Sequence, residues 1–93
     1  MNWNLIKEKY PKAHKYLFDH CKVAIDIDKS RFLYDFFDEQ GIYVIINRSP
    51  ADNEFFWSID IGKDFCDGDY TNTRTEAEEQ AFLKAFEILE DKL

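Results

Sequence analysis

The chain has 93 residues, 17% of which are aromatic, and it carries a formal net charge of −7 at pH 7. This length predicts one domain that buries about two thirds of its unfolded surface without disulfides or metal, and the nine Phe, five Tyr and two Trp argue against a disordered chain. The negative charge argues against a general affinity for the nucleic-acid backbone or for anionic membranes, because both bind clustered Lys and Arg.

The two cysteines, Cys21 and Cys66, lack the C-x-x-C spacing of a metal or redox motif. A single distant pair is not a disulfide framework, so we expect a reduced, cytoplasmic protein. No apolar run is long enough to cross a membrane, and the N-terminus lacks the apolar stretch of a signal peptide. We therefore expect no membrane partner.

Residues 3–21 predict two short helices with a kink at Pro11, because proline disfavours helical geometry at the preceding residue and lacks an N–H. Apolar side chains recur at three- and four-residue spacing and form one seam across the kink. The members of this seam are Trp3, Ile6, Tyr10, Ala13, Leu17 and Cys21. Residues 22–29 predict an extended linker or an edge strand.

The following residues predict a helix and three strands. The helix runs from Ser30 to Gln40, and Gly41 ends it as a left-handed cap. Gly68 is expected at a turn or bulge in the third strand. The three strands are predicted over 42–47, 54–62 and 65–70.

A capping box predicts the start of the final helix, because Thr73 can accept from the backbone N–H of Glu76 while Glu76 reaches back to Thr73. One apolar stripe follows at helical spacing. Its alanine edge should let the helix lie close to a sheet, and its Phe and Leu edge should pack inward. The stripe consists of Ala77, Ala81, Phe82, Ala85, Phe86, Ile88, Leu89 and Leu93.

These elements predict one α+β domain over 1–93, with an N-terminal helical segment over 1–21 and a core over 30–92. The core is expected to contain a three-stranded antiparallel sheet in α-β-β-β-α order, with both helices on one face. We place the N-terminal kinked helices on the other face, because the strand over 42–47 is apolar on both sides. The alternative is that this second face pairs with another copy, so that the chain is either a monomer or a homodimer.

Over residues 30–91, this order resembles the double-stranded-RNA-binding domain, most clearly in FFWSIDIGK followed by RTEAEEQAFLKAFEIL. In that family the final helix begins with a basic K-K-x-A-K motif that binds phosphates. The loop between the first and second strands carries a G-P-x-H motif that contacts the minor groove. The resemblance implies shared topology without RNA binding, because Glu78 and Glu79 would repel phosphates. The corresponding residues here are Arg74, Thr75, Glu76, Ala77 and Glu78 in the helix and Ser49, Pro50, Ala51 and Asp52 in the loop.

A second, looser resemblance concerns the two ends of the chain. The pairing of N-W-x-x-I-x-x-x-Y-P-K-A with R-T-E-A-E-x-x-A-F-x-K-A-F-x-I-L-E is similar to short reading frames of phages and bacterial mobile elements. This resemblance implies that the chain comes from a phage or a mobile element, and it implies no particular activity.

The sequence contains no motif that points to catalysis or to a bound ion. Neither the acids between Asp60 and Asp69 nor those at Asp26 and Asp28 satisfy the EF-hand pattern, and solvated turns explain them. His14 and His20 are six residues apart, which separates them by about 120° on a helix and argues against a zinc set. No nucleophile elbow, Gly-rich phosphate loop or H-E-x-x-H occurs. We therefore expect no enzyme activity, no cofactor and no metal.

Two functions of different classes remain. The first is a non-enzymatic module that binds a protein partner through an exposed part of its aromatic-rich surface. The second is an acidic decoy, whose carboxylates imitate nucleic-acid phosphates and occupy a basic protein groove. A solvated face with favourable charges at a helix N-terminus explains the same acids without a partner. The candidate binding residues of the decoy are Asp64, Asp67, Asp69, Glu76, Glu78 and Glu79.

Overall fold

The computed structural model describes residues 3–20, 30–51 and 53–93. Its elements confirm the predicted α-β-β-β-α order of the core, preceded by two short helices. Cys21, the segment predicted over 22–29 and Asp52 lie outside the described residues. The elements are α1 (Trp3–Lys9), α2 (Pro11–His20), α3 (Ser30–Glu39), β1 (Tyr43–Arg48), β2 (Phe55–Asp60), β3 (Phe65–Asp67) and α4 (Arg74–Lys92).

The break between α1 and α2 lies at Tyr10, as the proline that follows it predicts. The hydrogen bonds continue across the break, since the Tyr10 N–H donates to the Ile6 carbonyl at 2.7 Å and the His14 N–H donates to the Tyr10 carbonyl at 2.9 Å. The seam is confirmed for Ile6, Ala13 and Leu17, which are fully buried.

The end of α3 follows the predicted glycine cap. Gly41 has a φ of 76°, in the left-handed region that glycine adopts without a Cβ penalty. The Ile42 N–H donates to the Phe37 carbonyl at 2.9 Å, and the Gly41 N–H donates to the Asp38 carbonyl at 3.0 Å. This Schellman pattern satisfies carbonyls that the helix end would otherwise leave unpaired, and it turns the chain directly into β1.

The three strands form one antiparallel sheet in the order β1-β2-β3. In its register Val44 pairs with Ile59 and Ser58 pairs with Asp67. Because side chains alternate along a strand, the buried residues Val44, Trp57 and Ile59 share the face that α3 and α4 cover.

Helix α4 lies across β1 and β2, and six of the eight residues of its predicted apolar stripe are buried, whereas Ile88 is half-buried and Leu93 is exposed. Three alanines of this stripe, Ala77, Ala81 and Ala85, are fully buried, as the close approach to the sheet requires. The Phe edge meets α3, where the Phe37 ring lies 5.0 Å from that of Phe86 in an edge-on arrangement. The Thr73 side chain caps the helix by accepting from the Glu76 N–H at 3.1 Å, so this half of the predicted capping box is present.

The N-terminal helices do not lie where the sequence predicted them. Helix α2 contacts α4, and the Tyr16 ring lies 6.0 Å from that of Phe36 on α3. In addition, the Ala13 N–H in the first turn of α2 donates to Oε1 of Glu90 on α4 at 2.8 Å. Since stacked layers are about 10 Å apart, a helix that touches α4 cannot also cover the far side of the sheet. The placement of these helices on the other face is therefore corrected: α2 packs against α4, on the side of the sheet that the helices cover, and α1 packs against α2.

Candidate functional site

The sheet has a second face that points away from α3 and α4, here called the open face. Its residues alternate with the buried ones, so the register defines three rows across the strands. The rows are Tyr43, Asp60 and Phe65; Ile45, Ser58 and Asp67; and Asn47, Phe56 and Tyr70.

Large apolar side chains are exposed on the open face. The exposed fractions are 47% for Tyr43, 40% for Ile45, 59% for Phe65 and 60% for Tyr70. These are four of the six large hydrophobic residues that are exposed within the described ranges, and the other two, Phe18 and Leu93, lie on helix α2 and at the end of α4. A grouped set of this kind distinguishes a contact surface from the scattered apolar residues of an ordinary surface.

A β-bulge brings Tyr70 onto this face. Between the pairs Ser58–Asp67 and Phe55–Thr71, β2 contributes two residues and the outer chain contributes three. The Gly68 N–H donates to the Trp57 carbonyl at 2.8 Å, and a side chain at Gly68 would overlap the Trp57 indole. The predicted bulge at Gly68 is thus confirmed.

The bulge also explains why β3 is shorter than the strand predicted over 65–70. Pairing with β2 stops at Asp67 and resumes as a single bridge at Thr71. As a result, the Tyr70 ring lies 5.3 Å from the half-buried Phe56 ring.

The centre of the open face is polar and small. Ser58 is only 3% exposed, and its hydroxyl donates to Oδ1 of Asp67 at 3.0 Å across the strand pair. At the end of β2, Oδ1 of Asp60 accepts from the Gly62 N–H at 2.8 Å. Asp60 and Asp67 are the charged residues among the nine, and both are negative.

The six acidic residues predicted as decoy residues do not lie on one surface of the molecule. Asp67 lies on the open face, whereas Glu78 lies on the helix side, where it accepts a hydrogen bond from the Tyr34 hydroxyl at 3.2 Å. The sheet and α4 separate these two carboxylates. The other four are exposed, two around β3 and two on the first turns of α4: Asp64, Asp69, Glu76 and Glu79.

The contact between Tyr34 and Glu78 gives the half-buried glutamate a structural partner. Burial of the hydroxyl, followed by the negative charge of Glu78 and the hydrogen bond to it, raises the pKa of Tyr34 above its ordinary value. Arg74 corresponds to the first residue of the K-K-x-A-K motif. Its guanidinium lies 5.7 Å from the centre of the Phe55 ring. Arg74 and Glu78 are therefore both engaged within the chain.

Within residues 3–20, 30–51 and 53–93, no three His, Cys, Asp or Glu side chains are grouped closely enough to hold a metal ion. In the same ranges, no helix is long and apolar enough to span a bilayer. His14, whose ring centre lies 4.5 Å from that of Phe18, is on α2, whereas Cys66 is on β3.

Comparison with family models, with curated proteins and with solved structures gave no match to this chain. The resemblance to the double-stranded-RNA-binding domain therefore stays a prediction.

The exposed residues of the open face were not singled out by the sequence. The available signal was that β1 carries apolar residues on both of its sides. Tyr43 and Ile45 are large and largely apolar at positions where a strand with one solvated side usually carries polar residues. This signal predicted a face that is covered either by the N-terminal helices or by another copy of the chain. Phe65 and Tyr70 gave no such signal, since the bulge between them breaks the period of two.

Proposed function

We propose that this chain is a non-enzymatic protein-interaction module and that the open face is its binding surface. One observation carries the proposal: four large apolar side chains, each between 40% and 60% exposed, are collected on one side of a sheet whose other side is buried. Surfaces of this kind on a folded domain mark sites where another protein binds.

The residue types and their support favour protein binding. Tyrosine and phenylalanine contribute large contact areas at interfaces with few rotatable bonds, so little side-chain entropy is lost on binding. The strands hold these rings through backbone hydrogen bonds, and Phe56 supports Tyr70 from beneath. A partner would therefore meet a surface that is already ordered.

The setting we propose is a reducing cytoplasm, which is supported by the cysteine spacing. The acidic decoy is the alternative. It has less support, because Asp67 and Glu78 lie on opposite sides of the sheet and Glu78 is engaged by Tyr34. A single basic groove would reach only part of the set.

The proposal is tested by comparing what three immobilised proteins retain from a lysate of the native host, with the retained proteins identified by mass spectrometry. Phe65→Ser removes an exposed ring from the open face. Phe18→Ser is the matched control, because it removes a ring of similar exposure, 43%, from helix α2. Circular dichroism and the melting temperature verify that each variant is folded.

We expect a protein that the wild type and Phe18→Ser retain and that Phe65→Ser loses. The retained protein should be released only gradually as salt rises, because the apolar rings carry most of the contact, whereas a decoy that binds through charge alone would release it steeply. Equal retention by both variants would show that the open face is not the binding surface.

A further inference from the structure

We infer that the partner segment that binds the open face is cationic, and that it places an Arg or Lys side chain over Ser58, between the carboxylates of Asp60 and Asp67. This inference rests on the proposed function, because it names the chemistry of the partner for the same surface. The observations that carry it are the positions of the two carboxylates, the charge around them and the apolar residues beside them.

The register places Asp60 and Asp67 on a diagonal of the open face. Asp60 is opposite Phe65, and Asp67 follows two residues later on the same side of β3. Diagonal neighbours in an antiparallel pair are about 7–8 Å apart, which leaves room for one cationic group to approach both. Ser58, adjacent to both carboxylates, is only 3% exposed, so the cation would contact the outer edges of the two carboxylates and not Ser58 itself.

Each carboxylate has a second oxygen that can accept a hydrogen bond. Oδ1 of Asp67 accepts from Ser58, and Oδ1 of Asp60 accepts from Gly62. No donor among the described residues is bonded to Oδ2 of either group. These bonds fix the two side chains in place while leaving acceptor positions for a guanidinium or an ammonium group.

The surrounding charge is negative. Residues 43–70 contain six acidic and two basic side chains, a net charge of −4. Of the two basic residues, Arg48 donates to Oδ1 of Asn53 and belongs to the covered side of β1, and Lys63 lies in the loop between β2 and β3. None of the nine residues of the open face is itself cationic.

The apolar neighbours suit the stem of a basic side chain. Arg and Lys bury their methylene groups along apolar surface while the charged end reaches a polar partner. Ile45 is beside Ser58, and the Phe65 ring is beside Asp60 in the register. A cation between the carboxylates would also contact the face or edge of an aromatic ring.

The same geometry disfavours other occupants. A second copy placed face to face would bring Asp60 and Asp67 of both copies together without a basic residue to neutralise them. A neutral apolar segment would bury two unpaired carboxylates, and nucleic acid would be repelled. Only a cationic segment covers the rings and pairs the charges.

The test starts from a displayed library of random 12-residue peptides, which is selected on the full-length wild-type protein at pH 7. The tightest peptide is then synthesised with a fluorophore, and its affinity is measured by fluorescence anisotropy. Asp60→Asn and Asp67→Asn remove one negative charge each but keep an oxygen that can accept from Gly62 or Ser58. Glu79→Gln is the matched control, since it makes the same change at an exposed site on α4.

We expect the selected peptides to be enriched in Arg or Lys next to apolar residues. The affinity of the tightest peptide should fall about three- to tenfold in each Asp→Asn variant and stay at the wild-type value in Glu79→Gln. Phe65→Ser should abolish binding.

Other outcomes separate the two claims. If the peptides show no basic enrichment, or bind the Asp→Asn variants as tightly as the wild type, while Phe65→Ser abolishes binding, the cationic partner is overturned and the open face stands as the binding surface. If Phe65→Ser binds as well as the wild type, or if no peptide is selected, both claims are overturned. A dimer in analytical ultracentrifugation at pH 7 that Phe65→Ser abolishes would assign the face to a second copy and overturn the inference.

Discussion

At the scale of single residues, Gly68 decides how the outer strand presents its aromatic ring. A bulge needs a residue that can approach the neighbouring strand closely, and at Gly68 the space for a side chain is filled by the Trp57 indole. The Trp57 Nε1–H in turn donates to Oε1 of Gln80 on α4 at 3.3 Å, which holds the ring against the helix. The indole therefore has no simple way to move aside.

Gly68→Ala should lower the free energy of unfolding by about 1–3 kcal/mol, because the added methyl group must displace either the indole or the backbone of the bulge. Urea denaturation followed by tryptophan fluorescence measures this change. The control is Asp69→Ala at the adjacent, exposed position, where we expect a change within about 0.5 kcal/mol. Equal effects of the two substitutions would contradict the close contact between Gly68 and Trp57.

A second residue-scale feature is the half-buried hydroxyl of Tyr34. It donates to Glu78, and the Tyr34 ring packs edge-on against Phe82 with centroids 5.1 Å apart. Burial, and then the charge of Glu78, raise the pKa of Tyr34 in the folded chain above its ordinary value of about 10. Between these two pKa values, the unfolded chain releases a proton that the folded chain retains.

The stability that Tyr34 contributes should therefore be fully present below about pH 10 and be lost as the pH rises from there toward the raised pKa. Urea unfolding of the wild type and of Tyr34→Phe at about pH 8 and about pH 10.5 measures it. The stability difference between the two proteins should narrow at the higher pH. Tyr43→Phe, which removes the hydroxyl of an exposed tyrosine, is the control, and a difference that stays constant for Tyr34→Phe would contradict the expected ionisation.

At the scale of elements, helix α2 is held on α4 by its apolar seam and by a capping carboxylate. Leu17 and Ala13 are fully buried, and Glu90 accepts from an N–H in the first turn of α2, which has no partner within its own helix. A negative charge at a helix N-terminus is favourable, so the contact serves both hydrogen bonding and the helix dipole. Helices this short need such tertiary contacts to be stable.

Leu17→Ala should cost about 2–5 kcal/mol of unfolding free energy, because it leaves a cavity between α2 and the helices beneath it. The neighbouring Phe18 is 43% exposed, so Phe18→Ala should cost much less. Chemical denaturation of both variants gives the comparison. A larger loss from Phe18→Ala than from Leu17→Ala would mean that α2 docks through its other side.

At the scale of the whole molecule, the charge of −7 makes copies of the chain repel each other at pH 7, and this repulsion opposes association through the exposed residues of the open face. This repulsion vanishes near the isoelectric point of about 4.7. An exposed apolar face without net repulsion promotes association, so solubility depends on pH through the total charge.

Light scattering should be higher at pH 4.7 than at pH 7 for the wild type and for Phe18→Ser, and the increase should be smaller for Phe65→Ser. The reason is that Phe65 contributes to the face that copies would share once repulsion is gone. Circular dichroism at both pH values verifies that the chain is folded. An equal rise for all three proteins would show that association does not use the open face.

Much of the fold could be predicted from local signals. Pro11, Gly41 and Thr73 act on the backbone within a few residues, and each ends or begins a helix at the predicted place. The inward side of α4 follows from spacing alone, since one stripe holds its alanines and phenylalanines. By contrast, the sequence predicted the candidate site only as an unspecified aromatic surface. The covered side of β1 is set by helices that are distant in the sequence, so local signals do not identify it.

The sequence by itself determined the order of elements, their caps and the buried side of the helices, because these depend on backbone geometry and on the helical period of 3.6 residues. Only the tertiary structure decided that α2 packs on α4 and not on the other face of the sheet. The hydrophobic effect has no direction, so an apolar seam is satisfied by any apolar surface of fitting shape. The fit between apolar surfaces and the hydrogen bond from Ala13 to Glu90 place α2 on the helix side of the sheet. The other side keeps its exposed residues Tyr43, Ile45, Phe65 and Tyr70.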